Sequence, residues 1–338
     1  MKYISSPKKP LHFPVMLKEV LKISQADKGG LFVDCTFGSG GYSNAILSFP
    51  KTKVIALDRD LNTKIYADKT KKINKNRFTF FNIKFSEINK IINKNTKADC
   101  IIFDLGLSSL QISNLKKGFS FNSKGKIDMS MGLNSINAQD VLNNLDIKTL
   151  SDIFKFFGDE RDAYNIARNI VKLRKNNPIN SVPDFVKIIE KSKKKNFKKK
   201  INISTQAFQA IRIFVNKEIT ELIEGLINAS KLLKEGGIII VVTFHSIEDK
   251  IVKFFFRNFS SNQSRGSRYY PDKNKTRILF ENYKNIILRP EANEIKINNR
   301  SRSAKLRFAV RSKDEFFNPK DLKNKFSHLM ELENIYAK

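Results

Sequence analysis

Residues 31–43 constrain the fold of this chain more than any other stretch. They run from a short apolar segment through Asp34 into a glycine-rich turn (Gly38, Gly40 and Gly41) and then into an amphipathic stretch at Tyr42. This order is typical of the first strand, loop and helix of a nucleotide-binding α/β domain. Glycines suit such a loop because the backbone must turn sharply and approach a ligand without intervening Cβ atoms. An ordinary turn is the alternative.

Two further strand-like segments end in an acid. Residues 53–58 end at Asp58, and residues 98–104 end at Asp104. An acid after the second strand can accept hydrogen bonds from the ribose hydroxyls of an adenosine, or can simply cap the next helix. Because ligands of open α/β sheets bind beyond the carboxyl ends of the strands, we expect Asp34, Asp58 and Asp104 to share one crevice.

Phe85 follows a third predicted strand at residues 77–82. In this type of fold the loop after that strand borders an adenine, so the ring can cover the base. The alternative is an aromatic residue of the core.

Charge favours a polyanionic partner. The 338 residues carry a net charge of +30, which points to nucleic acid. A general bias towards Lys, Asn, Ile and Phe weakens that inference. Two cysteines, Cys35 and Cys100, are predicted to be core residues in a reducing compartment. The longest apolar run is too short to cross a bilayer, so we expect a cytoplasmic protein without a membrane or metal partner.

The strand pattern is interrupted in the middle of the chain. We predict an α/β domain at residues 1–112, an inserted helical domain at 113–204, the rest of the α/β domain at 205–312 and a loosely attached tail at 313–338. Residues 205–233 are predicted to form one long helix, and residues 286–288 and 305–310 an antiparallel hairpin closing the sheet. Arg161 and Arg168 in the insertion can bind phosphate or form a solvated helix face.

The crevice can hold a dinucleotide or S-adenosylmethionine. A dinucleotide loop requires a third glycine where this chain has Ser43, and no second glycine loop is present. S-adenosylmethionine fits better, with Asp34 and Asp104 holding its ammonium group and the loop approaching its carboxylate.

Several long motifs resemble one known family, the ribosomal RNA small-subunit methyltransferase H family. The matching segments lie at residues 12–20, 34–41, 104–111, 118–121, 127–131, 208–213 and 244–249. The resemblance implies a Rossmann-like, seven-stranded methyltransferase with an inserted helical domain, which makes N4-methylcytidine in the decoding centre of 16S rRNA on the small ribosomal subunit. Its cofactor contacts correspond here to Gly40, Gly41, Tyr42, Asp58, Phe85, Asp104 and Gln111.

Methylation of the cytosine N4 requires an acceptor that orients a poorly nucleophilic amine. We predict that Ser108 and Ser109 orient N4 while Asp104 mainly holds the cofactor. Contacts to RNA are assigned to Arg161, Arg168, Arg212, His245, Arg300 and Arg302. A non-catalytic assembly factor and an NAD-dependent oxidoreductase are the competing functions, and the chain can be a monomer or a homodimer.

Overall fold

The computed structural model describes residues 14–92, 96–193, 202–261, 277–281 and 283–337. His12, the first residue of the first motif, lies outside these ranges. Within them the strands are β1 (Gly30–Asp34), β2 (Thr52–Asp58), β3 (Phe78–Asn82), β4 (Ala98–Asp104), β5 (Leu233–Thr243), β6 (Phe280–Glu281) and β7 (Lys305–Arg311). They form one seven-stranded sheet in the order β3-β2-β1-β4-β5-β7-β6. The predicted α/β class is confirmed.

The first five strands are parallel, and β7 runs antiparallel to β5 and to β6. The order reverses at β1: the chain adds β2 and β3 on one side of this strand and then returns to place β4 on its other side. A ligand crevice forms at such a switch point, beyond the carboxyl ends of the strands. Asp34, Asp58 and Asp104 are the last residues of β1, β2 and β4, so all three lie at this edge.

The parallel strands are buried on both faces, which explains their nearly continuous apolar sequence. In β4, for example, the residues from Cys100 to Phe103 are all inaccessible to solvent. Cys35 and Cys100 are buried free cysteines, as predicted.

Helices cover both faces of the sheet and form the insertion. They are α1 (Leu17–Ser24), α2 (Gly41–Leu47), α3 (Lys64–Asn74), α4 (Ser109–Ser113), α5 (Ala138–Asn144), α6 (Ile147–Gly158), α7 (Ala163–Arg174), α8 (Val182–Ser192), α9 (Thr205–Asn216), α10 (Glu218–Leu232), α11 (Ser246–Asn258), α12 (Ala292–Ile297) and α13 (Lys320–Glu333). In the described part of the chain, none of these is long and apolar enough to span a membrane.

The prediction of one long helix over residues 205–233 is wrong. The chain forms α9 and α10, separated by Lys217 in the left-handed conformation (φ 51°). Asn216 fixes the break, because its side chain accepts the N–H of Met131 (2.8 Å) and donates to the carbonyl of Met129 (2.8 Å). α9 packs against α6, so the core of the insertion continues beyond residue 204.

Arg59, the residue after β2, connects the sheet to the insertion. Its guanidinium donates to the carbonyls of Gly132 and Asn216, each at 2.9 Å, and to Oδ1 of Asn134 at 3.2 Å. One side chain at the edge of the sheet therefore holds both the segment that enters the insertion and the end of α9.

The end of the chain differs from two predictions. The segment at residues 286–288 contributes only a bridge from Leu288 to Leu306, and β6 supplies the edge strand instead. The tail is not loosely attached, because α13 buries Leu322, Phe326, Leu329 and Leu332. It packs against α10 and α11.

Glu333, at the end of α13, caps the first turn of α10. Its carboxylate is buried and accepts the N–H groups of Ile219 (2.9 Å) and Thr220 (2.8 Å) and the hydroxyl of Thr220 (2.6 Å). A carboxylate placed there satisfies N–H groups that have no partner within the helix. Burial nevertheless raises the pKa of Glu333 from 4.5 to about 8.

We expect Glu333 to make the protein less stable as the pH rises. A carboxyl whose pKa is higher in the folded state contributes stability that is complete at low pH and is lost as the pH rises towards its folded pKa. Between about pH 5 and about pH 9, the free energy of unfolding should fall by roughly 4 kcal/mol more in the wild type than in Glu333→Gln. Denaturant titrations at both pH values measure this. The matched control is Glu331→Gln, which changes an exposed residue of the same helix; if all three proteins show the same pH dependence, the assignment is wrong.

Candidate active site

A cavity of about 310 Å³ lies at the carboxyl ends of the parallel strands. Its wall includes ten of the predicted site residues: Gly38, Gly41, Tyr42, Asp58, Phe85, Asp104, Ser108, Gln111, Arg212 and Arg300. The structure thus brings residues from six separate segments of the chain to one place.

Asp34 does not lie on the cavity wall. It is fully buried, with Oδ2 accepting the hydroxyl of Ser43 (2.7 Å) and Oδ1 accepting the N–H of Thr36 (3.2 Å). The structure gives Asp34 a different role from the predicted one. It joins the end of β1 to α2 and shapes the glycine loop rather than facing a ligand.

Asp58 lies on the wall and also holds the loop. Its Oδ2 accepts the N–H of Gly38 (2.7 Å), and its Oδ1 accepts the N–H of Asp60 (2.8 Å). Each carboxylate oxygen keeps a second acceptor position, so ribose hydroxyls can still bind. Burial raises the pKa of Asp58 to about 7.

The glycine loop needs its glycines for two reasons. Gly40 has a φ of +85° and begins α2, and a Cβ there would lie 2.8 Å from Cζ of Phe37. Gly41 packs against Pro14, where a Cβ would lie 2.8 Å from Cγ of the proline. Gly40 itself is not on the wall, so it acts by shaping the loop. Tyr42 is buried, and its hydroxyl donates to the carbonyl of Val15.

Asp104 has an oxygen without a partner. Its backbone N–H donates to Oγ1 of Thr36 (2.8 Å), while Oδ1 is buried and makes no hydrogen bond. Burial, together with the negative charge of Asp34, raises the pKa of Asp104 well above its ordinary value. A buried acceptor on a cavity wall without a donor is costly unless a ligand supplies one.

Phe85 lies on the wall at the β3 side of the cavity. It contacts Phe103 edge to face, with 5.3 Å between ring centroids. Gly225 of α10 makes room for it, because a Cβ there would lie 2.6 Å from Cδ2 of Phe85. Phe85 is partly exposed, so part of its ring is accessible from the cavity.

Ser108 and Gln111 form a capping box at the start of α4. The Ser108 hydroxyl accepts the N–H of Gln111 (3.2 Å), and Oε1 of Gln111 accepts the N–H of Ser108 (3.1 Å). Gln111 also donates to Asp60 (3.2 Å). Ser109 is the first residue of α4, but its side chain lies outside the described part of the structure.

Arg212 and His245 belong to a charged cluster that includes two residues missed in the sequence, Glu218 and Glu248. Arg212 donates to both carboxylate oxygens of Glu218 (2.7 and 2.8 Å). His245 Nε2 lies 3.0 Å from Glu248 Oε1, which makes an ion pair when the imidazole is protonated. One ligand atom each from Glu218, His245 and Glu248 lies within 4.8 Å of the others.

The cluster has the arrangement of an ion-pair network, because a guanidinium already occupies both oxygens of Glu218. The signal in the sequence was indirect. Glu248 belongs to the motif at residues 244–249, whereas nothing in the sequence places Glu218 at the cavity.

Of the remaining predicted RNA contacts, Arg161, Arg168 and Arg302 lie outside the cavity wall. Arg161 is exposed just before α7, Arg168 is exposed within α7, and Arg302 is exposed in the short 3₁₀ helix Asn299–Ser303. Arg300 of the same 3₁₀ helix reaches the wall.

The sheet order, the glycine loop and the strand-end acids define an α/β methyltransferase with a helical insertion. Residues 9–312 match the model of the MraW methylase family, and the chain belongs to that family. The family assignment confirms the resemblance found in the motifs.

Relatives named ribosomal RNA small subunit methyltransferase H match most of the chain. Those of Ehrlichia ruminantium (strain Welgevonden) and Rickettsia prowazekii (strain Madrid E) are 39% identical over 300 residues and 40% identical over 303 residues. Both matches cover 88% of this chain. They cover 98% of the Ehrlichia protein and 97% of the Rickettsia protein. The relative of Agrobacterium fabrum is 38% identical over 301 residues, covering 89% of this chain and 87% of its own.

Gly225→Ala should weaken binding of S-adenosylmethionine. Alanine normally stabilises a helix interior relative to glycine, but here its methyl group would displace Phe85. Loss of one aromatic contact predicts about a three- to tenfold higher Kd, measured by calorimetry. The control is Glu224→Ala, which changes a neighbouring residue of α10 in a surface ion pair with Lys323. An unchanged Kd in Gly225→Ala would remove Phe85 from the cofactor site.

Proposed function

We propose that this protein transfers a methyl group from S-adenosylmethionine to the N4 amine of a cytidine in the decoding centre of small-subunit rRNA, in the cytoplasm. Family membership supports a methyltransferase, and the names of the relatives support small-subunit rRNA as the substrate. The observation that carries the proposal is the buried, unpartnered oxygen of Asp104 on the wall of the cavity.

The residues of the cavity fit this cofactor. Asp104 offers its free oxygen to an ammonium group, and a cation there would restore the ionised carboxylate. Asp58 has acceptor positions left for ribose hydroxyls, and Phe85 has a partly exposed ring for an adenine. When bound, S-adenosylmethionine supplies an electrophilic methyl group on its sulfonium.

The cytosine N4 is a poor nucleophile because its lone pair is delocalised into the ring. The protein must therefore fix the direction of the amine, and the proton that N4 loses on methyl transfer passes to water. Ser108 lies on the cavity wall two residues after Gly106, close in sequence to Asp104. Its hydroxyl oxygen accepts one backbone N–H and has a second position for a donor from N4.

The RNA must present an unpaired, extruded cytidine, because N4 is otherwise occupied in pairing. Arg300 on the wall and Arg302 beside it can bind phosphates at the mouth of the cavity. Arg161 and Arg168, exposed on the insertion, offer a second set of phosphate contacts.

Deletion of the gene tests the function. Nucleoside mass spectrometry of small-subunit rRNA should show N4-methylcytidine in wild-type cells and its loss in the deletion strain. The wild-type gene should restore it, and Asp104→Asn, which keeps the shape but removes the carboxylate, should not. The surface variant Glu331→Gln serves as the complementation control. An unchanged N4-methylcytidine content in the deletion strain would refute the proposal.

Substitution of Ser108 tests its role in transfer. Ser108→Ala removes both the helix cap and the hydroxyl, whereas Ser108→Gly removes the hydroxyl at little cost to the cap. Because the hydroxyl is proposed to orient N4, both variants should slow single-turnover transfer at saturating cofactor by at least about tenfold. Ser109→Ala is measured alongside. If Ser108→Gly transfers at the wild-type rate, the hydroxyl does not orient N4 and the serine acts only as a cap.

A further inference from the structure

Phe244 lies on the cavity wall and belongs to none of the residues proposed to bind the cofactor, orient N4 or bind phosphates. It follows the last residue of β5 and begins the motif at residues 244–249. The residue is partly exposed, in contrast to the strand that leads to it, which is buried along most of its length.

The pairing of β4 with β5 places Phe244 next to the proposed reaction centre. Asp104 pairs with Val242, and the N–H of Leu105 donates to the carbonyl of Val242 (3.0 Å). Two residues beyond this pair, Gly106 follows β4 and Phe244 follows β5, and the two residues are side by side. Gly106 has a φ of +90°, and a Cβ there would lie 3.4 Å from Cδ2 of Phe244. The ring is therefore beside the backbone that links Asp104 to Ser108.

Other aromatic residues of the wall are not available to a base. Phe37 is buried against Phe78 and Phe80, and Tyr42 is buried with its hydroxyl bonded to Val15. Among the described residues of the wall, Phe85 and Phe244 are the aromatics with partly exposed rings. Phe85 packs with Phe103 on one face of the sheet, whereas Phe244 packs on the other face, against the cluster that contains Phe37 and Tyr42.

The turn that carries Phe244 is held by a buried carboxylate. Oε2 of Glu248 accepts the N–H groups of Phe244 (2.8 Å) and His245 (3.2 Å). His245 Nδ1 accepts the N–H of Glu248 (3.4 Å), which closes a capping box at the start of α11. This arrangement fixes the backbone of Phe244 before any ligand binds.

We propose that Phe244 is the stacking platform for the extruded cytosine, on the opposite side of the cavity from the adenine site at Phe85. The inference rests on the proposed function and deepens it. An extruded base loses its stacking partners, and an aromatic side chain replaces them. Stacking on Phe244 would hold the base plane beside Gly106, with N4 directed towards Ser108. Sequence reasoning assigned no aromatic to this task.

The test compares variants that keep or remove the aromatic ring. Phe244→Leu and Phe244→Met keep apolar volume without a ring, and Phe244→Tyr keeps the ring. Phe156→Leu, on the exposed surface of α6, is the matched control. The substrate is small ribosomal subunits purified from the deletion strain. Three quantities are measured for each folded variant: the Kd for S-adenosylmethionine, the Kd for the subunits and the single-turnover transfer rate.

We expect Phe244→Leu and Phe244→Met to transfer about 10- to 100-fold more slowly, as loss of one base–aromatic stack predicts. Both Kd values should stay within about threefold of wild type, because other groups bind the cofactor and the phosphates. Phe244→Tyr and Phe156→Leu should keep the wild-type rate to within about threefold.

Two results would overturn the inference. One is a wild-type transfer rate in Phe244→Leu or Phe244→Met, and the other is a loss of cofactor binding in all three Phe244 variants. Absence of transfer by the wild-type enzyme would refute the proposed function instead, so the two failures are distinguishable.

Discussion

Carboxylates at the ends of the central strands hold the glycine loop, and the cavity depends on that interaction. Asp34 binds Ser43 and Thr36, while Asp58 binds the N–H of Gly38 at 2.7 Å. The loop therefore has a defined position although glycines give it little conformational preference of its own. Asp104 alone among the three strand-end acids has a buried oxygen without a hydrogen bond, so its carboxylate is not used to hold the loop.

Much of the fold could be predicted because parallel strands buried on both faces leave a strong local pattern. The strands are recognisable as runs of apolar residues bounded by polar ones. The loop is marked by its glycines, and the helices of the insertion by regularly spaced apolar residues. The break between α9 and α10 could not be predicted, since Lys217 is no helix breaker. Its conformation depends on hydrogen bonds between Asn216 and residues 129 and 131, far away in sequence.

The candidate site was predictable in position more than in detail. Strand-end residues were placed correctly at one edge, but the sequence does not show which way a carboxylate points. Asp34, for example, points into the protein and not towards the cavity. Glu218 and Phe244 were missed because they reach the cavity through the packing of α10 and the pairing of β5 with β4. The tail was misjudged because the apolar residues of α13 are spaced among many charges.

The contacts of Arg59 have a consequence for how the enzyme selects one nucleotide of its substrate. This side chain joins the sheet edge to carbonyls on both sides of the insertion, at Gly132 and Asn216. Arg59 thus ties the edge of the sheet at the cavity to the insertion that carries the exposed Arg161 and Arg168. For an RNA bound at these two arginines, the distance from the binding point to the cavity would be set by the fold. Selection of a single nucleotide would then depend on its distance from a docking point as much as on its chemical identity.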